Sequence, residues 1–528
     1  MIHIKLSSQR QPQWFSLAGI HTRGYVFDAQ GKLWQGASLC NLLHGVQDAV
    51  SLETIVSRLN GCFAIIIEAE SGTLAAVDRT ASMPLYWVQE PGIQLISDDP
   101  QEAASRFPHK DTDARRISEY LLSGFCSGND TLQKGLNLLQ AGQILEIRDG
   151  KSRIIQYYRY KHLESTPTNP ATLYEGLDTA HLNSIRRLIQ SLDGRPVAIP
   201  LSGGYDSRLI AILLKRLGYK HISAFSYGQR HSREVKISHQ VARLLEIPWT
   251  FVEHRPQDWY QAYQSPSRKE FYAYAGNVSS RPHIQDWLAV RELSQSGHWH
   301  KDTVFIPGHS GDFVQGSNIP PAFCEKPIIT REILLQNIWK SVYRLWHAVD
   351  EEVYQRLSQL VPSEEEMDQE TAASLLEGYL WQQLQPRYIL NSLRVYEYFG
   401  YEWRIPWWDA EILDFWQKVP ISVRSGRQLY KAYIATKRNT GIGVYHKETM
   451  PRRIRERLIR QKWGYIYDPR FSRFAPFYLG KAHRHSQLGA LLPQNLELPE
   501  YIRANQAIAK CNINAVSSLV ALKEWWEG

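Results

Sequence analysis

The segment VAIPLSGGYDSRLI (197–210) carries the residues best suited to bind phosphate groups. An apolar run ends at Leu201, and a glycine-rich turn then leads into an apolar pattern of helical period. Two successive glycines let the backbone approach a phosphate closely, and the N–H groups at a helix start attract anions. The turn itself consists of Ser202, Gly203, Gly204, Tyr205, Asp206 and Ser207. We therefore expect Leu201 and these six residues to contact the phosphates of a nucleotide.

A second acidic turn, PGHSGDFVQGSN (307–318), follows the apolar run VFI. It too is expected at the end of a strand, where open α/β sheets bind ligands. Mg²⁺ in nucleotide sites is held by one or two carboxylates together with the phosphates. We therefore expect Asp206 and Asp312 to bind Mg²⁺, with Gly308 beside the nucleotide.

The first turn differs from a Walker loop, since it lacks the lysine of GxxxxGK[ST]. SGGxDS is instead the pattern of the loop that holds pyrophosphate in AMP-forming enzymes. An ordinary strand-to-helix turn is the alternative interpretation, and the matched strand, turn and helix argue against it. ATP is the cofactor that this pattern predicts.

Two domains must position these turns, because 528 residues exceed what one hydrophobic core usually supports. Up to about residue 160 short apolar runs such as CFAIIIEA and QILEIRDG predict a β-rich domain, 1–160. The polar stretch 161–172 contains two prolines and is typical of a linker. After it, helical patterns alternate with the apolar runs VAIPL and HISAFSYG. This alternation predicts a doubly wound parallel sheet in an α/β domain, 173–528, which is mostly helical from about 330.

Composition favours a soluble, cytoplasmic protein. The five cysteines form no CxxC pair, which favours reduced thiols over a disulfide framework. The start lacks the apolar stretch of a signal peptide, and no window has the apolar length of a membrane span. The net charge is +8, and much of it lies late in the chain, for example at 452–462. A solvated basic face beside a nucleotide site explains that charge at least as well as nucleic-acid binding does.

Together these motifs resemble the asparagine synthetase family over nearly the whole chain. SGGYDS stands at the family's SGGxDS loop, GHSGDF at its GEGxDE, and WRIPWWD at its R-x-P-F-L-D segment. SAFSYG resembles the strand that lines the adenine and ribose pocket, which implies that Ser226, Tyr227 and Gly228 contact the nucleotide. RLNGCFAIII and VDRTASMPLYW resemble strands of the family's glutaminase domain. The resemblance implies an Ntn-hydrolase-like β-sandwich with helices, followed by an ATP-pyrophosphatase domain with a helical C-terminal extension.

Three departures from the family pattern bear on function. Ile2 stands where active glutaminases have a cysteine whose own α-amine activates it, so we expect no glutamine hydrolysis. His309 replaces the family's catalytic glutamate, and an imidazole can act as a base near neutral pH. The family's later catalytic lysine aligns with Arg427, although Lys431 lies one helical turn further on. Either cation can stabilise charge that develops during adenylation.

The resemblance implies an AMP-forming amide ligase that adenylates a carboxylate and passes the acyl group to an amine or ammonia. Relatives without the cysteine include β-lactam synthetases, lasso peptide cyclases and proteins of polysaccharide gene clusters, so intramolecular cyclisation is an alternative. A tRNA-modifying enzyme and a non-catalytic nucleotide-binding scaffold are further alternatives. The segment 270–287, with Arg281 and Asp286, is either an acceptor pocket or aromatic packing. The expected partners are a carboxylate and an amine, with no strong nucleic-acid signal, and the resemblance allows for a homodimer.

Overall fold

The computed structural model describes most of the chain. The described ranges are 2–163, 169–276, 278–346, 348–436, 493–503 and 513–528. The basic tract at 452–462 therefore lies outside the described residues, as does Cys511. Within the described ranges, no helix combines the length and the apolar character needed to cross a membrane.

The N-terminal part is a sandwich of two β-sheets. Its strands are β1 (His3–Lys5), β2 (Phe15–Leu17), β3 (Ile20–Phe27), β4 (Leu33–Gln35), β5 (Asn60–Ala69), β6 (Gly72–Val77), β7 (Tyr86–Glu90), β8 (Ile93–Ser97), β9 (Leu136–Leu138), β10 (Gln143–Arg148) and β11 (Lys151–Gln156). The larger sheet has the order β11-β10-β6-β5-β3-β2, with β4 beside β3, and the smaller has the order β1-β8-β7-β9. The pairs are antiparallel except for β1 with β8.

Strand β5 shows why this part of the sequence reads as a continuous apolar run. Alternate side chains point to opposite faces of a strand, and here both faces are buried. Phe63 and Ile65 pack into a core under two helices, whereas Ala64 and Ile66 pack into the core between the sheets. The four helices of this part are α1 (Ala37–Leu42), α2 (Ala49–Val56), α3 (Pro100–Ala104) and α4 (Ala114–Ser123). With α1 and α2 on the larger sheet and α3 on the smaller one, the layers run helix, sheet, sheet, helix.

The second part is built on a five-stranded parallel sheet. Its strands are β12 (Val197–Pro200), β13 (Ile222–Gly228), β14 (Trp249–Glu253), β15 (Val304–Phe305) and β18 (Glu402–Trp403). Their order is β14-β13-β12-β15-β18, so the chain progresses outward in one direction from β12 and in the other from β15. A crevice opens at the carboxyl ends of strands where such an order reverses. The sheet therefore places the ends of β12 and β15 at its ligand-binding position.

Helices surround and extend this sheet. They are α5 (Pro170–Leu192), α6 (Tyr205–Arg216), α7 (Arg233–Leu244), α8 (Pro256–Gln264), α9 (Pro266–Tyr274), α10 (Trp287–Gln295), α11 (Gly311–Val314), α12 (Pro321–Glu325), α13 (Arg331–Val342), α14 (Glu351–Leu360), α15 (Gln369–Tyr379), α16 (Leu393–Tyr398), α17 (Ala410–Lys418), α18 (Ile421–Arg424), α19 (Gln428–Thr436), α20 (Glu500–Arg503) and α21 (Ile513–Glu527). A π-helix spans Leu380–Ile389, and 3₁₀ turns span Leu390–Ser392, Pro406–Trp408 and Ser425–Arg427. A two-stranded ribbon pairs β16 (Ile329–Thr330) with β17 (Glu366–Met367).

The expected fold class is confirmed, with corrections in detail. The sequence pattern missed β18, because two residues inside a mainly helical region carry no periodicity. Helix α5 begins at Pro170 rather than 173, and the side chain of Asn169 caps it. The described start of the expected linker is packed, since His162 is buried and the N–H of Leu163 donates to the carbonyl of Gln417.

Candidate nucleotide and ligase site

The loops that follow β12 and β15 lie directly against each other. A Cβ atom on Gly308 would stand 2.6 Å from the backbone nitrogen of Ser207. A Cβ atom on Gly311 would stand 2.8 Å from Cγ of Asp206. Real Cβ atoms do not approach other atoms so closely, so glycine is required at both positions. The structure thus brings together the two turns that the sequence singled out separately.

Within the first loop the serines hold the backbone in place. The N–H of Ser202 donates to Oγ of Ser207 at 3.2 Å, and the N–H of Gly204 donates to Oγ of Ser202 at 3.1 Å. Gly204 precedes helix α6, which opens with Tyr205 and carries Asp206 in its first turn. The loop therefore presents the start of a twelve-residue helix at the crevice, a position that favours anions.

Asp206 is the centre of the polar contacts at this site. Its Oδ1 accepts hydrogen bonds from Nη2 of Arg427 at 2.8 Å and from Nε2 of Gln315 at 3.1 Å. Burial and the nearby charge of Asp312 raise the pKa of Asp206, against the lowering effect of Arg427. The nearby hydroxyl of Tyr430 also lowers it. The carboxylate is thus held in a fixed position between the loop and the segment that carries Arg427.

The two acidic residues fit a nucleotide-dependent magnesium site. The charge of Asp312 acts on Asp206, and the Asp312 side chain is exposed towards solvent. Among the described residues there is no group of three or more His, Cys, Asp or Glu side chains that could hold a metal alone. A pair of carboxylates that needs phosphate oxygens to complete the coordination is the usual arrangement for Mg²⁺. The assignment of the metal to Asp206 and Asp312 stays a prediction.

Of the two candidate cations, Arg427 lies at the loop. Besides Asp206, its guanidinium contacts Oε1 of Gln315, and it lies 4.9 Å from the ring centre of Tyr430. Its backbone has a φ of 64°, which is uncommon outside glycine and is found at functional sites. Lys431 lies on α19 with its side chain exposed.

His309 lies in the second loop, half-buried beside the sheet. Its Nδ1 is 3.0 Å from Oγ of Ser392. Burial lowers the pKa of His309, while the charges of Asp286 and Asp312 oppose that shift. The neutral imidazole that results at pH 7 is the form that accepts a proton. Burial also lowers the pKa of His283, to about 3, and the proximity of His309 contributes.

Strand β13 is expected to contact the nucleotide. Its end at Gly228, rather than its side chains, is open to a ligand. The hydroxyl of Ser226 already has partners within the protein. Its Oγ lies 2.6 Å from the carbonyl oxygen of Leu201 and 2.8 Å from Oγ of Ser238. Leu201 itself is buried, so only its backbone faces the loop. Gly228 has a φ of 124° and open space where a Cβ would be. The expectation that Ser226 contacts the nucleotide stays a prediction, and Gly228 leaves room for a ligand.

Tyr227 connects this strand to a buried carboxylate. Its hydroxyl donates to Oδ1 of Asp286, and the hydroxyl of Tyr396 donates to Oδ2 at 2.6 Å. Asp286 is buried and acts electrostatically on His309. Arg281, by contrast, has its backbone N–H bonded to the carbonyl of Gly124 and its guanidinium over the ring of Tyr388. Asp286 thus lies near His309, whereas Arg281 contacts Gly124 and Tyr388, and the acceptor-pocket role of both residues stays a prediction.

Several residues of the site were missed by sequence reasoning. Gln315 follows Asp312 by three positions and Tyr430 follows Arg427 by three, which is the spacing of neighbours on a helix. From that spacing, Gln315 and Tyr430 could have been predicted to lie beside Asp312 and Arg427, respectively. Ser392, which contacts His309, lies 83 positions away in the chain, and only the fold brings the two together.

Comparison with known proteins finds a matching family for each of the two parts of the chain. A family model described as asparagine synthase matches residues 184–436, and one described as a glutamine amidotransferase domain matches residues 26–158. A 7-cyano-7-deazaguanine synthase of Azotobacter vinelandii is 42% identical over 65 residues, 12% of this chain and 27% of that protein. A protein of the same name from Helicobacter pylori is 26% identical over 110 residues, 21% of this chain and 44% of that protein. The chain thus spans less than half the length of these curated relatives.

Among solved structures, a glutamine-dependent NAD⁺ synthetase of Acinetobacter baumannii, in complex with ADP, shows 15% identity. The match covers 49% of this chain and 59% of that one, with a TM-score of 0.18.

The fold and the paired loops define a class: an Ntn-like sandwich joined to an ATP-pyrophosphatase domain, as in ATP-dependent ligases that form carbon–nitrogen bonds. Both family models match in the chain order that this architecture requires. The chain belongs to the asparagine synthetase family, with an N-terminal domain of the glutamine amidotransferase type.

Proposed function

We propose that the protein is an AMP-forming amide ligase that joins a carboxylate to an amine without hydrolysing glutamine. The observation that carries the proposal is the close contact between the loops at 202–207 and 308–312, with Arg427 bound to Asp206 at their junction. In the proposed reaction the carboxylate attacks the α-phosphorus of ATP, and pyrophosphate departs into the loop at Ser202–Ser207. An amine then attacks the acyl-adenylate, AMP leaves and an amide forms.

Arg427 is suited to stabilise the charge that builds up on the departing pyrophosphate. Its guanidinium is oriented in advance by Asp206 and Gln315, and preoriented charges stabilise a transition state more than mobile ones. Mg²⁺ held by Asp206 and Asp312 would shield the triphosphate. The cluster therefore offers a fixed cation and two carboxylates at the end of the parallel sheet.

His309 is the proposed base for the amine. An alkyl amine of pKa about 10.4 is mostly protonated at pH 7, and forming the free base costs roughly 4 to 5 kcal/mol. Because burial lowers the pKa of His309, its imidazole is neutral and ready to accept that proton. Ser392 holds the ring through the contact with Nδ1, so we regard Ser392 as a positioning residue.

The resemblance to the family's glutaminase domain implies that Asn60 and Asp98 belong to its glutamine pocket, and their contacts support the absence of glutaminase activity. Both oxygens of Asp98 are used, one by the N–H of Ser7 and the other by the indole N–H of Trp14, each at 2.8 Å. The side chain of Asn60 bonds to Asp409 in the second domain. Burial raises the pKa of the Cys62 thiol far above its usual value, so that thiol is a poor nucleophile.

The test is to incubate the purified protein with ATP, Mg²⁺ and pooled carboxylates and amines, and to separate AMP from ADP among the products. We expect AMP and pyrophosphate from the wild type, and loss of both in Asp206→Ala. Asp149→Ala is the matched control, because that side chain is 89% exposed and remote from the loops.

Formation of ADP in place of AMP would contradict the proposal. Detectable glutamate from glutamine in the pure protein would contradict the claim about the N-terminal domain. Product masses then identify the amide and distinguish joining of two molecules from cyclisation of one.

A further inference from the structure

A small cavity lies between the N-terminal sandwich and the ligase domain. Its volume is about 30 Å³, which is enough for one or two water-sized groups. Among its lining residues are three buried arginines and no acidic side chain; those used below are Arg10, Tyr86, Arg387, Asn391 and Arg394. We call it the arginine cavity. Asn391 precedes Ser392, the residue that contacts His309, so the cavity lies next to the proposed site of amide formation.

The three guanidinium groups are only partly satisfied by the protein. Arg394 donates to the carbonyl of Ser82 at 2.7 Å and lies 3.0 Å from Oε1 of Glu397. Among the described residues, its Nη1 has no hydrogen-bond partner although the side chain is only 3% exposed. The same holds for Nε of Arg10. Arg387 is bonded to backbone carbonyls, which neutralise none of its charge.

The buried charges of Arg387 and Arg394 are compensated only in part. Arg23 belongs to the same network, since it pairs with Glu397 at 3.1 Å and lies 3.8 Å from Asp98. The carboxylates of Glu119 and Asp130 also act on Arg387, and that of Asp99 acts on Arg10. At Arg387 burial outweighs those charges and lowers the pKa. Burial lowers the pKa of Arg394 to about 10, and the charges of Arg23 and Arg10 contribute against Glu397. A buried charge without a counter-charge is strongly unfavourable, and water supplies dipoles but no charge.

We propose that the arginine cavity binds one compact univalent anion, either a halide-sized inorganic ion or the carboxylate end of a substrate. The anion accepts hydrogen bonds from Nη1 of Arg394 and from its neighbours and offsets the excess positive charge. Glycine helps to form the wall: the φ of Gly276 is 84°, and a Cβ there would stand 3.0 Å from the Tyr86 hydroxyl. The proposal does not depend on the proposed ligase activity, because ion binding is measured without turnover.

The experiment measures thermal unfolding of the full chain in sodium bromide and in sodium gluconate at equal ionic strength. Bromide fits the cavity, whereas gluconate is too large for it. We expect a saturable rise in Tm of about 1 to 3 °C with bromide in the wild type. Arg394→Gln should abolish this rise, and Arg148→Gln, which changes an exposed arginine, should keep it.

A second variant covers the case in which Arg394→Gln does not fold. Asn391→Asp places a carboxylate in the cavity, so it should raise Tm in gluconate and remove the response to bromide. An equal bromide response in the wild type, Asn391→Asp and Arg394→Gln would overturn the proposal, because the ion would then act elsewhere. Crystals soaked in bromide should show an anomalous peak beside Nη1 of Arg394, and its absence at saturating bromide would also overturn the site.

The source of the anion is determined by competition. If the carboxylate end of the substrate occupies the cavity, bromide should raise the KM for that substrate and leave kcat unchanged. If an inorganic ion resides there, bromide should leave KM unchanged while still raising Tm. Either result supports the anion site in the arginine cavity, and each identifies a different occupant.

Discussion

At the scale of single residues, the loop contacts a cation, Arg427, which we expect to take the place of a lysine of the family pattern. Arg427 bonds to Asp206 and Gln315 and adopts a left-handed backbone conformation. Such a conformation costs of order 1 to 3 kcal/mol, so surrounding contacts must maintain it. Arginine is also never deprotonated in a protein, whereas lysine can be. The position thus supplies a permanent charge in a fixed orientation.

We therefore expect Arg427→Gln to reduce kcat/KM for ATP by a factor of about 100 or more, the magnitude typical for loss of one stabilising contact in a transition state. Arg427→Lys should recover part of that loss. Lys431→Gln is the matched control on the helix that follows Arg427, since Lys431 is exposed, and it should stay near the wild-type value. A large loss in Lys431→Gln with a small loss in Arg427→Gln would assign the role to Lys431 instead. Pyrophosphate release is the measurement.

A pH profile tests His309. Because burial lowers its pKa below 6.5, the neutral base persists at pH 7 and is lost only as the pH falls below 6.5. With a weakly basic amine such as hydroxylamine as nucleophile, kcat/KM should fall on the acid side with a midpoint below 6.5. His309→Gln should be slower and should lack this acid limb, and Ser392→Ala should shift its midpoint. An unchanged acid limb in His309→Gln would contradict the assignment.

The lowered pKa of His309 also makes the stability of the protein depend on pH. Between the native pKa and 6.5 the unfolded chain protonates His309 and the native protein does not, so stability falls as the pH decreases through that window.

At the scale of elements, two loops from different strands are fitted to each other through glycine. The loop after β15 approaches the start of α6 so closely that Gly308 and Gly311 lie where side chains cannot. The two loops can approach each other only because the strand order of the sheet makes β12 and β15 neighbours. These strands are more than 100 residues apart in sequence. These two glycines are therefore required by a tertiary contact and not by a local turn.

Gly308→Ala and Gly311→Ala should each reduce adenylation strongly, since the added methyl group would displace Ser207 or Asp206 by several tenths of an ångström or more. A displacement of about 1 Å at a reacting group can cost a factor of about 100 in rate. Gly378→Ala is the control, because its Cβ would stand 3.3 Å from the nearest atom and α15 tolerates alanine. Rates near the wild type in the two loop variants, at unchanged Tm, would contradict the proposed contact.

At the scale of the whole molecule, the two domains form one continuous unit. A single apolar cluster includes Ile66 of the sandwich and Ile199 of the parallel sheet. Asp409 accepts two hydrogen bonds from Arg187, at 2.6 and 2.7 Å, and one from Asn60 at 3.0 Å. Asn60 of the glutaminase-like domain is thus used for a contact with the second domain, which agrees with the structural role that we propose for the N-terminal domain.

We expect Asp409→Ala to lower the stability of the whole chain by roughly 2 kcal/mol, because it leaves Arg187 and Asn60 without their common partner in a partly buried position. Thermal unfolding followed by circular dichroism should show one transition that moves to lower temperature by a few degrees. Asp302→Ala, at an exposed carboxylate, should leave Tm unchanged. Two separate transitions in the wild type would contradict the continuous core.

Part of the fold and part of the candidate site follow from the sequence alone. The run SGGYDS after an apolar strand predicts a phosphate-binding turn, since glycines and a helix start suffice locally to attract anions. Short continuous apolar runs likewise predict strands such as β5 and β12, because both faces of these strands are buried. The alternation of such runs with helical patterns predicts the parallel sheet. Residues matched through a family pattern, such as Arg427 and Asp312, were also identified without coordinates, although their roles stay predictions.

The tertiary structure decides which of these residues meet. Asp206 and Arg427 are 221 positions apart, and their contact depends on how the segment before α19 folds back over the sheet. Ser226 lies in a matched strand, yet its hydroxyl bonds to Leu201, which directly follows β12, and to Ser238 of α7. The arginine cavity has no sequence signature, because its guanidinium groups come from distant segments of both domains. Side-chain types and local periods are properties of the sequence, whereas contacts between distant groups and the balance of buried charge exist only after the chain has folded.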